Sequence, residues 1–445
     1  MVQTEIRDRH SGKLMREIPE PSARQIRKDI AGWESSSSDP AAAWDVQALA
    51  DLMEARSADL SRTYSSESGK PILQASAEIS RSIAFLRSLG TFHDGGISPH
   101  GIGQLHQSFL IPKNANMQIA FSSMDSPLED LAIALGASIV ESRRGIVAGS
   151  GTSPLTFSTI GELIGTCEMD GKFKLLPFAA LNPACIKNVP TENVDRVIHF
   201  GRKAESRGTF TQIAQVCDRL VFERTASASL VWKDADPDHA VDAVFSGSFM
   251  NDSSFDDIKY LLVHPEQTRY IQNQLTEKIH KLKTKDPSIP GSDLFAFSDK
   301  AQAEVAMSEL DRYVSSGNEY VYRGETVSDR HLLPSLLRSH SIPLPGIFEK
   351  SGKYLIIAEV SSVNESVELL NGLGNLSSIS AFFSDIHYAK LLSERLKAGY
   401  IFFNTFPAEA IDSALSAGAD LTRMSDIMRR IIGTRTPFRR VFYEN

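Results

Sequence analysis

Apolar and polar positions follow two rhythms along this chain, and their order sets the first expectations. Residues 21–39 read as a polar helix ended by Ser35-Ser36-Ser37-Ser38-Asp39-Pro40, where serine and proline favour a turn. From near Ala41, the apolar residues Trp44, Leu49, Leu52, Met53 and Leu60 recur at helical spacing. Gly69-Lys70-Pro71 breaks that pattern, and a second amphipathic run follows through Ile72, Ala75, Ile79, Ile83 and Phe85. Between Gln104 and Phe121 the period becomes two: Leu105, Phe109 and Ile111, then Met117, Ile119 and Phe121, flank the polar stretch Pro112–Asn116 and predict a β-hairpin.

Beyond the hairpin, helical and extended patterns alternate. Leu128–Ser142 reads as a helix up to Gly136 and then a short strand, Ala137-Ser138-Ile139-Val140, and the alternation continues past Val197-Ile198-His199-Phe200. A second series runs from Ala226 to about Pro407: strand Tyr260–His264, helix Gln267–Lys283, strand Tyr354–Ala358, helix Val363–Leu370 and strand Tyr400–Asn404. Alternation of this kind predicts parallel sheets covered by helices. The tail reads as a helix over Ile411–Ile432 and a strand over Phe438–Tyr443, and no internal repeat is visible.

Composition narrows the class. At 445 residues the chain exceeds a single small core, so two or three domains are expected. A charged fraction of 23% and a net charge of −8, spread along the chain, point away from nucleic acid and anionic membrane as partners. No stretch reaches the roughly 18 uninterrupted apolar residues of a membrane helix, and the polar N-terminus has no apolar leader core, so a cytoplasmic protein is expected. Cys167, Cys185 and Cys217 are far apart and form neither a disulfide framework nor a metal pattern.

Several segments carry a family resemblance. Leu220-Val221-Phe222-Glu223-Arg224, the run Leu230–Val244 containing Asp234-Ala235-Asp236-Pro237-Asp238-His239-Ala240-Val241, the loop Gly247–Tyr260 and Asn404-Thr405-Phe406-Pro407 occur in the order found in aldehyde dehydrogenases. The helix pair around Gly69-Lys70-Pro71 is similar to that family's N-terminus. The chain thus resembles the aldehyde dehydrogenase superfamily over nearly its whole length. The resemblance implies an α/β fold with a Rossmann-type parallel-sheet domain (1–103 and 121–224), a second, catalytic-type α/β domain (225–408), and an oligomerisation arm and tail (104–120 and 409–445). A homodimer is the implied assembly.

The family's chemistry needs a thiolate nucleophile, an oxyanion donor, a general base and a bound dinucleotide. With Ile258-Lys259 as anchor, the nucleophile position falls on Phe255, or on Ser254 if a one-residue deletion is placed after it, and no cysteine follows Cys217. The oxyanion asparagine corresponds to Asp125 in Met124-Asp125-Ser126-Pro127, where an ionised carboxylate would repel a developing oxyanion. Glu223 matches the general base, but the two glycines after it are replaced by Thr225 and Ala226. The lysine used on the adenosine ribose is matched to Ser142, the phosphate-side turn to Phe200-Gly201-Arg202-Lys203, and Glu349 to the nicotinamide-ribose glutamate. With so few dinucleotide features left, neither NAD nor NADP is expected to bind.

Each candidate has a plainer reading beside the functional one. Asp252, Asp256 and Asp257 are general acids or metal ligands of the old tunnel, or a solvated, helix-capping acidic loop; their spacing fits no specific metal site, and none is expected. Glu223 and Asp125 are a carboxylate pair facing one apolar cavity, whose pKa values would be pushed apart, or inherited carboxylates now held in salt bridges. Phe255, Met124 and Phe406 would line the substrate cavity, with Phe255 otherwise a core residue, and His199 and His264 are expected to be core histidines. The resulting expectation is a cofactor-independent enzyme that performs an acid–base isomerisation, cyclisation or lyase-type step on a small apolar or carbonyl-bearing molecule. Two alternatives stand beside it: a non-catalytic scaffold, and a residual dehydrogenase using Ser254.

Overall fold

The structure is a computed structural model. It describes residues 3–19, 24, 28, 43–93, 100–102, 106–112, 117–140, 143–177, 194–201, 218–222, 226–250, 258–339, 353–374, 376–405, 424, 427–428, 430–431 and 438–444. The chain opens with an antiparallel hairpin, β1 (Gln3–Arg7) and β2 (Leu14–Pro19), followed by three helices, α1 (Ala43–Ala55), α2 (Ser57–Ser68) and α3 (Ile72–His93). The break expected at Gly69-Lys70-Pro71 separates α2 from α3. Gly69 ends α2 at φ +82, a left-handed conformation, and a Cβ there would lie 2.2 Å from the Ala296 carbonyl oxygen, so only glycine fits.

Strands β3 (His100–Ile102) and β4 (His106–Pro112) precede β5 (Met117–Phe121), α4 (Pro127–Val140), β6 (Arg144–Ala148), α5 (Pro154–Thr166), β7 (Phe173–Leu176), β8 (Val194–Phe200) and β9 (Asp218–Phe222). A five-stranded parallel sheet forms in the order β7-β6-β5-β8-β9, with helix on its faces. This arrangement corrects two expectations. Met117–Phe121 does not fold back on 105–111 as a hairpin; it is the central strand of the parallel sheet, and β4 pairs instead with the tail strand β19 (Phe438–Glu444) and with β3. All five residues of Met117–Phe121 are buried, and Gln118 donates its amide nitrogen to the Ala134 carbonyl at 2.8 Å.

The second correction concerns Ala137–Val140, the last turn of α4 and not a strand. Gly136 passes through the helix because its missing side chain admits α3: a Cβ there would lie 3.0 Å from Leu89 and 3.1 Å from Phe85. One apolar core joins α1–α5 to the sheet, and Met424, Met428 and Ile431 of the tail pack into it.

The second α/β unit starts with β10 (Ser227–Val231) and α6 (Pro237–Phe245), whose Asp236 cap accepts from the backbone of Asp238 and His239. It continues with β11 (Ile258–Val263), α7 (Pro265–His280), α8 (Lys300–Ser315), β12 (Glu319–Tyr322), the small hairpin β13 (Thr326–Ser328) and β14 (His331–Leu332), β15 (Ser335–Arg338), β16 (Tyr354–Glu359), α9 (Val363–Gly372), β17 (Leu376–Phe382), α10 (His387–Arg395) and β18 (Ala398–Phe403). The strand order is β12-β15-β16-β11-β10-β17-β18, parallel except for β12. Both faces of this sheet are covered by apolar clusters, which explains its continuous Leu/Ile/Val runs. No helix among the described residues is long and apolar enough to cross a membrane.

Candidate functional site

In an open parallel sheet, ligands approach the carboxyl ends of the strands where the strand order reverses. In the first sheet that point lies between β5 and β8. The bend after β5 carries Ser122-Ser123-Met124-Asp125-Ser126 and leads into α4. Ser122 joins it to the end of β6, since its Oγ donates to the Ala148 carbonyl at 3.3 Å and the Ser150 N–H donates to that Oγ at 3.1 Å. Asp130, in the first turn of α4, accepts from the Ser123 N–H at 2.8 Å and from its hydroxyl at 2.6 Å. Met124 and Asp125 project from this fixed bend and are exposed, Met124 at 56%.

Behind the bend lies a buried charge network. Glu78 of α3 accepts from Lys70 Nζ and from Tyr64 Oη, each at 2.8 Å, and from the Leu128 N–H at 2.9 Å, so one carboxylate serves the Gly-Lys-Pro turn, α2 and the N-terminus of α4. Lys70 also donates to the backbone carbonyl of Asp125. Four residues along, Gln74 donates its Nε2 to the Met250 carbonyl at 2.5 Å. Met250 ends a single wide turn, Ser246–Met250, with i→i+5 bonding, which leads directly into the loop matched to the nucleophile. The Lys70–Gln74 stretch therefore ties together the segment holding Asp125 and the turn that ends at Met250.

Of the residues selected from sequence, Met124 and Asp125 fall in this neighbourhood. Glu223, Asp252, Ser254, Phe255, Asp256, Asp257, Glu349 and Phe406, like Ser142, lie outside the described residues. The strand of this stretch runs from Arg144 to Ala148, after position 142 in the chain and not before it. His199 is a core residue, with its pKa pushed down to about 4 by burial. His264 instead caps α7, accepting from the Glu266 N–H, with its ring 5.0 Å from that of Trp232.

Lys70 stands in the sequence only as part of the Gly69-Lys70-Pro71 break, and Gln74, Glu78 and Glu67 belong to no motif. Glu67 is buried in α2 and accepts from the N–H groups of Leu155 and Thr156 at 2.7 and 2.9 Å and from the Thr156 hydroxyl at 2.5 Å, capping α5 from a distance. Burial pushes its carboxyl up to about 8, against the lowering effect of those bonds and of Arg9. A carboxylate at a core-facing position was the available signal: Glu78 lies between Ala75 and Ile79, both buried.

The sequence matches the profile of the aldehyde dehydrogenase family over residues 22–424. The chain belongs to that family. Solved structures with the same fold include a NAD-dependent benzaldehyde dehydrogenase from Corynebacterium glutamicum (TM-score 0.78, 15% identity, 100% of this chain and 95% of that one). A NAD-dependent aldehyde dehydrogenase from Sinorhizobium meliloti gives 0.80 at 21% identity, over 91% and 84% of the two chains. PnpE from Pseudomonas sp. WBC-3 gives 0.83 at 15% identity, over 100% and 94%. At these identities the structural matches establish the fold, and this family member's chemistry must be argued from its own residues.

Proposed function

We propose that this member of the aldehyde dehydrogenase family has left NAD-dependent, thiolate-mediated oxidation and is a cofactor-independent enzyme. Its former tunnel would take a small apolar or carbonyl-bearing molecule through an isomerisation, cyclisation or lyase-type step. The observation that carries this reading is the cysteine inventory: Cys167, Cys185 and Cys217 all precede the second α/β unit, so the loop before β11 has no thiol to attack a carbonyl. Where the family places an oxyanion donor, this chain presents the Asp125 carboxyl, exposed on a bend whose backbone is fixed from behind by Lys70. A carboxyl group so held can take or give a proton at a carbon next to a carbonyl, with Glu223 and the 252–257 acids as its partners in the proposal.

Described groups along the carboxyl ends of the first sheet support the loss of NAD(P). The first free amides of α5 are occupied by Glu67. The Gly149 N–H donates to the Leu176 carbonyl at 2.8 Å, so it is not free to hold a phosphate. Phe200 and Phe222 stack at 5.7 Å at the ends of β8 and β9, with Arg430 of the tail 5.3 Å from the Phe222 ring. A cytoplasmic homodimer belongs to the same proposal, supported by the β3-β4-β19 sheet, whose two outer strands each pair on one side only among the described residues.

The test is amide substitution in the producing cell. Asp125→Asn and Glu223→Gln are expected to abolish or alter a product while leaving the protein level unchanged. Unchanged products in both variants contradict acid–base catalysis and favour the non-catalytic scaffold.

A further inference from the structure

Both α/β units hold the N-terminal hairpin. Arg9, in its turn, donates its backbone N–H to the Ser66 carbonyl at 2.8 Å and its Nε to the Glu67 carbonyl at 2.9 Å, both on α2. From the other unit, Arg330 in the β13–β14 turn donates Nη1 to the Arg9 carbonyl at 2.6 Å. Gly12 sits at φ +70, and a Cβ there would lie 2.9 Å from Arg330 Nη2, so the turn is shaped around that guanidinium.

The next residue on each side completes the contact. His10 and His331 meet edge to face, with ring centroids 5.5 Å apart. His331 is 3% exposed. Its Nδ1 shares a hydrogen bond with Ser328 Oγ at 2.9 Å, and its Nε2 is buried with no hydrogen-bond partner among the described residues.

That environment suits a neutral imidazole and penalises a charged one. A second ring proton would make both nitrogens donors, leaving Nε2–H without an acceptor. The charged and titratable groups facing His331 are His10 from the hairpin turn, Arg330 on its own turn and Asp286 from the connection after α7. Burial, then His10 and Arg330, hold its pKa below the ordinary histidine value, with Asp286 opposing. Around Arg9 stand Asp299 and Glu67.

We propose that the His10–His331 contact is an acid-sensitive latch, in which proton uptake by His331 releases the β1–β2 hairpin from the second α/β unit. A released histidine titrates near its free value of about 6.5, whereas the latched one resists protonation. The closed state therefore has its full advantage above about pH 6.5 and loses about tenfold per pH unit below it, until the latched histidine itself titrates. Glu67, its carboxyl pushed up to about 8 by burial in the first unit, gives the whole fold a second pH dependence of opposite sign. Substitution at His331 separates the two.

Release would reach the candidate site through one seam. There the Ala296 N–H donates to the Gly69 carbonyl at 2.9 Å, Ile72 N–H to Pro287 at 2.8 Å, and Phe297 N–H to Arg330 at 2.8 Å, on either side of Lys70. The latch does not depend on the reaction proposed for the site.

Hydrogen–deuterium exchange of the full chain between pH 7.5 and 5.5, corrected for intrinsic rates, tests it. Peptides spanning 3–19 should lose protection about tenfold per unit below pH 6.5, while 258–263 hold theirs. His331→Asn, which cannot take the proton, should flatten that dependence. If this variant does not fold, C2-hydrogen exchange of His331 in the unaltered chain reads its midpoint directly, and a value below 6.5 is expected. Flat protection of 3–19 in the native chain, the same loss in His331→Asn, or a His331 midpoint at or above 6.5 overturns the latch.

Discussion

Replacing Lys70 by methionine removes the cation from a pair in which both side chains are almost fully buried, 7% exposed for Lys70 and 1% for Glu78. Methionine preserves most of the aliphatic length but not the ammonium that lies 5.4 Å from the Tyr64 ring centroid. What is lost is the counter-charge at 2.8 Å and the bond to the Asp125 carbonyl. Leaving one member of a buried pair uncompensated typically costs about 3–5 kcal/mol. Glu78 retains Tyr64 Oη and the Leu128 N–H, which places the expectation near the lower end, about 3 kcal/mol. Urea unfolding followed by far-UV circular dichroism measures the loss. Lys70→Met/Glu78→Leu should recover part of it, because no buried charge then remains unpaired. Hydrogen exchange supplies the local reading: the Leu128 N–H and the 122–126 bend should lose protection more than β11 does. A cost for Lys70→Met below about 1 kcal/mol, or exchange unchanged at the bend, refutes the argument that this pair positions Asp125.

Further expectations follow the same physics. Glu67 has its carboxyl raised to about 8, so its protonated form favours the fold; that contribution is complete below about pH 4.5 and is lost as pH rises through 8, and Glu67→Gln should remove this component from a pH series of melting temperatures. Gly69→Ala must adopt φ +82 against the Ala296 carbonyl, costing about 1–3 kcal/mol from the backbone conformation alone, before any clash, in a chemical-unfolding comparison. Asp236→Ala removes the cap on α6 and should cost about 0.5–2 kcal/mol, whereas Asp236→Asn should cost much less.

The order of helices and strands was legible because burial imposes periodicity. Tyr260–His264, Tyr354–Ala358 and Tyr400–Asn404 all appear as strands within a residue or two of their expected ends. Met117–Phe121 was misjudged because strict alternation does not distinguish a hairpin strand from a central strand whose one polar residue, Gln118, finds a buried carbonyl. Ala137–Val140 was misjudged because a glycine that ends many helices here admits a neighbouring helix. At the site, Asp125 could be picked by its place before Ser126-Pro127. Lys70, Gln74 and Glu78 could not, because their roles depend on partners about fifty to nearly two hundred residues away that only the fold brings together.

The central proposal is a family member without dinucleotide chemistry, and calorimetric titration of the full-length chain with NAD and NADP tests it most directly. The prediction is no saturable heat up to millimolar cofactor, and no NADH formation with a panel of aliphatic and aromatic aldehydes. Saturable binding in the micromolar to millimolar range, with aldehyde-dependent absorbance at 340 nm that Ser254→Ala abolishes, would contradict it and restore a serine-based dehydrogenase.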